Sequence, residues 1–399
     1  MTDDQQWQAP GQSAVPPPPP TPVPPTQPMP PAYSAPTAVP PAYSTPPAVP
    51  AAAPGWTPPP KPGLIPLRPM TLGTILSAAF QTLRRNPAAT LAPALVLTVL
   101  VAVIQVVGST GFLASYFDAF SNFSSTDAGS IDAGAVVGPM IGLAASSLGA
   151  GLLSLIVTAI VEAIVTVQVA SSTLGARLRL RGLWGRLRGR RGAVIGWAAL
   201  NGAAVLVAAI LVILGLVGIG LTGTAGVLIA GLFAFVVGAA LLVVGAWLWV
   251  KLGFVPAAIV LERASILTSM RRSWRLTGGA FWRIFGIRLL AGVIVAVATS
   301  IATAPVSIVG SIIGTLGQPN GGTEASLTTS LIGTTIATQA VTAVISAVGL
   351  VITTATTALL YLDQRMRTEG LDLDLARFVE RRAAGEKALA DPYLPKPGA

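Results

Sequence analysis

The sequence predicts an all-α integral membrane protein: six transmembrane helices with cytoplasmic interfacial amphipathic helices, preceded by a disordered proline-rich tail. Three observations carry that prediction. The 25 Lys and Arg residues fall into four clusters, 61–85, 177–191, 251–288 and 365–396. The gaps between them, 86–176, 192–250 and 289–364, have no basic residue, and each is long enough for two spans of about 20 apolar residues. Basic residues near span ends stay on the cytoplasmic side, so a gap flanked by them at both ends goes out and returns. Three gaps make three hairpins, with both termini in the cytoplasm. Composition agrees, at 52% hydrophobic and 10% charged, far from the mix of a soluble domain. The proposed outer segments hold Asp118, Asp127, Asp132 and Glu324 and no basic residue.

Residues 1–62 come first in the chain and hold most of its 34 prolines. The decapeptide pattern Pro30-Pro31-Ala32-Tyr33-Ser34 returns as Pro40-Pro41-Ala42-Tyr43-Ser44. Such a segment cannot bury a core and is expected to be extended and partly polyproline II. It has no apolar h-region, so it does not read as a signal peptide. Tyr33 and Tyr43 suit an aromatic-lined groove on a protein partner.

The membrane domain is expected over 63–376. A short amphipathic helix opens it, with Leu72, Ile75, Leu76, Ala79, Phe80 and Leu83 on one face, closed by Arg84 and Arg85. Asn86-Pro87 reads as the N-cap and first turn of the next helix. Spans are expected at about 88–113, 140–170, 193–220, 226–254, 284–313 and 331–361. An outer loop is placed at 119–134, a tight outer turn at Leu221-Thr222-Gly223-Thr224, and a Gly/Asn-rich loop before span 6. Gly138 and Gly142, with Ser146, suit close helix packing in span 2. A second amphipathic segment precedes span 5. It carries Ile266, Leu267, Met270 and Trp274 on one side and Arg271, Arg272 and Arg275 on the other. Ile75-Leu76-Ser77 and Ile266-Leu267-Thr268 head similar stretches, as an internal duplication or convergent interfacial helices would. Trp247, Trp249, Trp274 and Trp282 read as interface anchors. Residues 377–399 form a polar cytoplasmic tail, part of it helical.

Three segments carry a family resemblance. They are Pro62-Gly63-Leu64-Ile65-Pro66-Leu67-Arg68-Pro69-Met70-Thr71-Leu72-Gly73 with Arg84-Arg85-Asn86-Pro87; Arg271-Arg272-Ser273-Trp274-Arg275-Leu276 with Phe281-Trp282-Arg283; and Tyr361-Leu362-Asp363-Gln364-Arg365-Met366-Arg367 with Glu369-Gly370-Leu371-Asp372. Over about 62–376 the chain resembles an actinobacterial family of multi-span proteins named after the membrane domain of glycerophosphoryl diester phosphodiesterase. The soluble barrel of that enzyme needs roughly 250 residues, and the 37 residues after Leu362 are too few for it. With no His in the chain, the acid–base pair that the resemblance would require is missing too, so hydrolase activity is not implied.

The chemistry expected is correspondingly sparse. Without Cys or His, thiol chemistry and the commonest base and metal ligand are excluded. No catalytic site, cofactor or metal is predicted, and no nucleic-acid partner, because the basic residues flank apolar spans. They read as contacts to anionic lipid headgroups, notably Arg84, Arg85, Arg186, Arg188, Arg190, Arg191, Arg271, Arg272 and Arg275. Within the spans, Glu162 and Lys251 are the candidate intramembrane ion pair. At about 1.5 Å per residue they lie about 22 Å and about 16 Å from their cytoplasmic ends. They would serve as a structural pair or a transport or proton-relay pair; alternatively, Lys251 snorkels to the headgroups. Gln105, Gln168, Asn201 and Gln339 are further candidates to line a polar path. The expected role is that of a non-catalytic organising or accessory envelope protein of the cytoplasmic membrane. The alternative is a permease, channel or lipid-handling protein using Glu162 and Lys251.

Overall fold

Helices are the only structure that satisfies backbone polar groups segment by segment in a bilayer, and the computed structural model contains eleven of them among its described residues. Those residues are 68–125, 133–176, 178–220, 224–316, 324–386 and 389–394. The expectations for 1–62, including the PPAYS repeat, lie outside them. The helices are α1 (Leu72–Arg85), α2 (Pro87–Ser125), α3 (Ala133–Thr173), α4 (Leu180–Arg186), α5 (Arg191–Gly220), α6 (Thr224–Lys251), α7 (Val255–Leu261), α8 (Ile266–Leu276), α9 (Phe281–Leu316), α10 (Glu324–Glu369) and α11 (Leu371–Ala383). Six stretches are long and apolar enough to cross a membrane: Pro87–Leu113, Ala145–Thr173, Arg191–Gly215, Gly231–Leu261, Phe281–Ile313 and Thr329–Glu369.

Two helices depart from expectation at their ends. α2 runs on to Ser125, through much of the predicted outer loop, because no Gly or Pro interrupts 112–128. Span 4 does not end near 254; it breaks after Lys251 and resumes as α7, every residue of which is buried. Gly253 and Pro256 bracket the break, with Pro near the first turn of α7, where a missing N–H costs nothing. Asn86 is not the side-chain cap of α2. Its amide nitrogen donates to the Leu178 carbonyl at 2.8 Å, and its own carbonyl accepts from Ala89 and Thr90.

Three hairpins follow one plan: a short helix, then α2–α3, α5–α6 (continued by α7) or α9–α10. Each hairpin leans on the second span of the one before. α4 and α5 pack on α3, α8 on α7 and α9 on α6; the series closes on itself because α1 and α2 pack on α10. The α6–α9 contact is thin. Within each hairpin a glycine of the first span lies against the second, Gly108 on Ser146, Gly215 on Phe233 and Gly310 on Thr334, where a Cβ would collide. Of the face predicted in span 2, Ser146 makes such a contact, whereas a Cβ on Gly142 would meet nothing within 4 Å among the described residues.

The suspected duplication also has a register. Thr71 caps α1 by accepting from Thr74 N–H at 3.3 Å, and Ser265 caps α8 by accepting from Thr268 N–H at 3.3 Å. The caps therefore align Leu72-Gly73-Thr74, not Ile75-Leu76-Ser77, with Ile266-Leu267-Thr268. In both units the span begins 15 residues after the short helix does, at Pro87 and Phe281.

Burial concentrates at the basic end of the bundle. Ile75, Phe254, Ile284, Leu359 and Tyr361 belong to one apolar cluster there, and Ile164, Leu183, Val255 and Ile259 to a second. Towards the other end the spans are bare. Leu241, Leu242, Val243 and Val244 of α6 are all exposed, so in this stretch that helix is covered mainly where α5 packs on it. An apolar helix left so widely exposed is built to meet lipid.

Candidate functional site

The second spans meet around a small cavity. Glu162 and Thr166 of α3 line it, with Gly253, Pro256 and Ala257 at the α6–α7 break and Thr354, Thr357 and Ala358 of α10. The spacing repeats: Glu162, Gly253 and Thr354 each have a second lining residue four positions on, which helical geometry puts on the same face. The volume is about 10 Å³, close to what one water requires. Thr354 and Thr357 donate their hydroxyls to Leu350 and Thr353 of their own helix, leaving oxygen lone pairs as acceptors. None of Gln105, Gln168, Asn201 and Gln339 lines this space.

Glu162 and Lys251 form no ion pair. Lys251 turns outward, its Nζ 5.3 Å from the Trp274 ring centroid. The charge acting on Glu162 is Arg288 instead. Its guanidinium stacks on Trp249 at 3.9 Å and donates through Nη1 to the Trp249 carbonyl at 2.6 Å. It thereby caps the C-terminal end of α6, where unpaired carbonyls attract a cation. Ser273 closes the same break, donating to the Lys251 carbonyl at 2.6 Å and accepting from Phe254 N–H at 3.2 Å. Gly253 lies directly against the Arg288 guanidinium. Arg288 Nε is buried without a hydrogen-bond partner, and Glu162 and Arg288 do not touch as a salt bridge.

Nine residues beyond the cavity positions stand Ser171, Glu262 and Asp363, and the last two hold the basic end together. Asp363 accepts from Met70 N–H and Arg283 Nη1, each at 2.6 Å, and from Arg367 Nε at 3.0 Å. Both arginines also donate to the Met70 carbonyl. Glu262 is bound by Arg272, Arg365 and the Tyr361 hydroxyl, and Glu369 bridges Arg272 at 2.7 Å and Arg365 at 3.0 Å. Burial alone would lower the Arg272 pKa, but the hydrogen bond to Glu262 together with the negative charges of Glu262 and Glu369 outweighs it and holds the guanidinium above its ordinary value. Arg365 also donates to the Tyr393 carbonyl at 2.9 Å. The Tyr393 phenol is buried against Thr173 and the Ala170 carbonyl, and that burial raises its pKa.

The basic residues expected at headgroups therefore divide. Arg84, Arg85, Arg186, Arg188, Arg191, Arg271 and Arg275 are exposed. Arg190 is half-buried, with Nη1 3.4 Å from the Ala264 carbonyl, and Arg191 also stacks on Trp184. Arg272 is a correction: two carboxylates hold it, and its side chain is only 12% exposed. α8 buries Ser269, Ser273 and Leu276, while Leu267 and Trp274 of its apolar side face outward. Among the described residues no cluster of acidic side chains could hold a metal.

A family model described as a domain of unknown function (DUF7847) matches residues 70–362. No curated protein and no solved structure matches the chain.

Proposed function

The chain belongs to that family of domains of unknown function, and on this premise we propose that it is a non-catalytic, proton-coupled permease of the cytoplasmic membrane. Both termini would lie inside, as the basic clusters require. One observation supports this reading above the others: Glu162 lines a water-sized cavity between the three second spans and has no direct counter-ion among the described residues. Ionisable residues in spans are costly, face the interior and mark ion or proton paths. The nearest basic side chain that acts on it is Arg288, which is itself engaged with Trp249. The broken α6–α7 segment adds support, because discontinuous helices border the central sites of many transporters. The role of organiser, expected from the proline-rich tail, rests on residues outside the described structure.

The test is proton flux into proteoliposomes of the full chain with an entrapped pH dye, driven by an imposed potential. Wild type should exceed protein-free vesicles, and Glu162→Gln should lower the flux at least tenfold while its melting temperature stays near wild type. Equal flux in the two proteins, or none above empty vesicles, would sink the proposal.

A further inference from the structure

A second cavity, about 220 Å³ in volume, opens at the basic end between the first and second hairpins. Val167 of α3 and Val260 of α7 belong to its apolar wall. Its polar wall comes from Arg186 at the end of α4, Arg263 in the turn after α7, and Asp391 and Tyr393 of the C-terminal segment. Arg272, Arg283, Arg365 and Arg367 each have a carboxylate partner. Arg186 and Arg263 have no hydrogen bond or ion pair among the described residues, although both line the same space. Asp391 is the one carboxylate on the wall, and its Oδ1 already accepts from Tyr393 N–H at 3.1 Å. The lining therefore keeps a net positive charge.

The backbone adds a second observation. Arg263 has φ 54°, the one positive φ at a described residue other than glycine. L-residues occupy this left-handed region at a cost that glycine avoids, and such positions gather at binding and switching sites. The turn itself would form more easily with glycine, so what an arginine adds there is its side chain. Two guanidinium forks match the oxygens of a phosphate group. The cavity is larger than a bare phosphate ion needs, and its apolar side suits carbon.

We propose that this cavity binds a phosphate ester, with Arg186 and Arg263 holding the phosphate and the α3–α7 wall the carbon attached to it. The ester belongs either to a phospholipid headgroup or to a soluble molecule, and both share this chemistry. The site is separate from the Glu162 cavity and does not depend on how that cavity functions.

Binding is measured by titration calorimetry on the full chain in neutral detergent, with dihexanoyl phosphatidylglycerol and with n-butyl phosphate. Arg186→Gln and Arg263→Gly should each weaken binding at least tenfold, since each removes a charge-assisted hydrogen-bond donor. Arg263→Gly decides the matter, because glycine adopts φ 54° freely and the variant should melt no lower than wild type. Tighter binding of the lipid assigns the headgroup as ligand, and tighter binding of n-butyl phosphate assigns a soluble ester. Failure of both to saturate the protein, or wild-type affinity in Arg263→Gly, overturns the proposal.

Discussion

Asp363 is the residue on which most of the basic end converges, since its carboxylate is fully buried and serves one backbone N–H and two arginines. Removing one side of a buried ion pair costs about 3–5 kcal/mol. Here the Arg283 and Arg367 side chains keep 32% and 39% of their exposure, so water recovers part of that loss. Asp363→Asn should therefore destabilise the protein by about 2 kcal/mol, read as a lower melting temperature in detergent; an unchanged melt would show that the cluster is not holding α1 and α9 to α10. Part of this was legible in the segments that carry the resemblance, because Arg272, Ser273, Arg283, Tyr361, Asp363, Arg365 and Arg367 all lie in them and all build contacts at this end. Their pairing was hidden. An acid within a basic cluster at a span end reads as one more headgroup-side charge, and nothing local shows which arginine will turn inward. Arg288 did leave a signal, as it falls four residues inside the span predicted from 284, where a positive charge is costly.

The broken α6–α7 helix was the element least visible in advance. Hydropathy runs through the break, so an apolar count sees one span with a frayed end. Only Gly253 and Pro256 mark the interruption, and a Pro at a helix start is as common as one at a stop. The structure makes Gly253 testable. A Cβ there would stand 2.8 Å from Arg288 Cζ and 2.9 Å from the Trp249 carbonyl oxygen. The carbonyl belongs to the helix and cannot retreat, so Gly253→Ala should push the guanidinium off the end of α6. Overpacking of this kind costs about 1–3 kcal/mol, which a thermal melt would detect. A variant as stable as wild type would mean that Arg288 has room to reseat. By contrast, the six spans and the short amphipathic helices were legible, because charge clusters and apolar length act over whole segments. Which face of α8 turns inward was not legible, since small serines give packing closeness that no hydropathy pattern registers.

Across the whole molecule the junctions between hairpins are unequal. α2 and α10 are packed along their length, whereas α6 meets α9 at few points and leans mainly on α5, its own hairpin partner. Distances across these two junctions should therefore differ in spread. The chain has no Cys, so spin labels can be placed without background. Labels at Val103 and Val344, on α2 and α10, should give a narrow distance distribution by double electron–electron resonance. Labels at Phe235 and Val297, on α6 and α9, should give a broad one. Equal widths would remove the α5–α6 hairpin from consideration as the moving part. The packing order also bears on how a ribosome delivers this protein. α2 can pair at once with α3, yet α1 and the other side of α2 rest on α10, the sixth of the spans described. Those two faces must wait, open to lipid and to quality-control proteases, until translation of α10 closes the circle. Assembly should then occur in one late step, with premature stops anywhere before α10 giving products that are cleared.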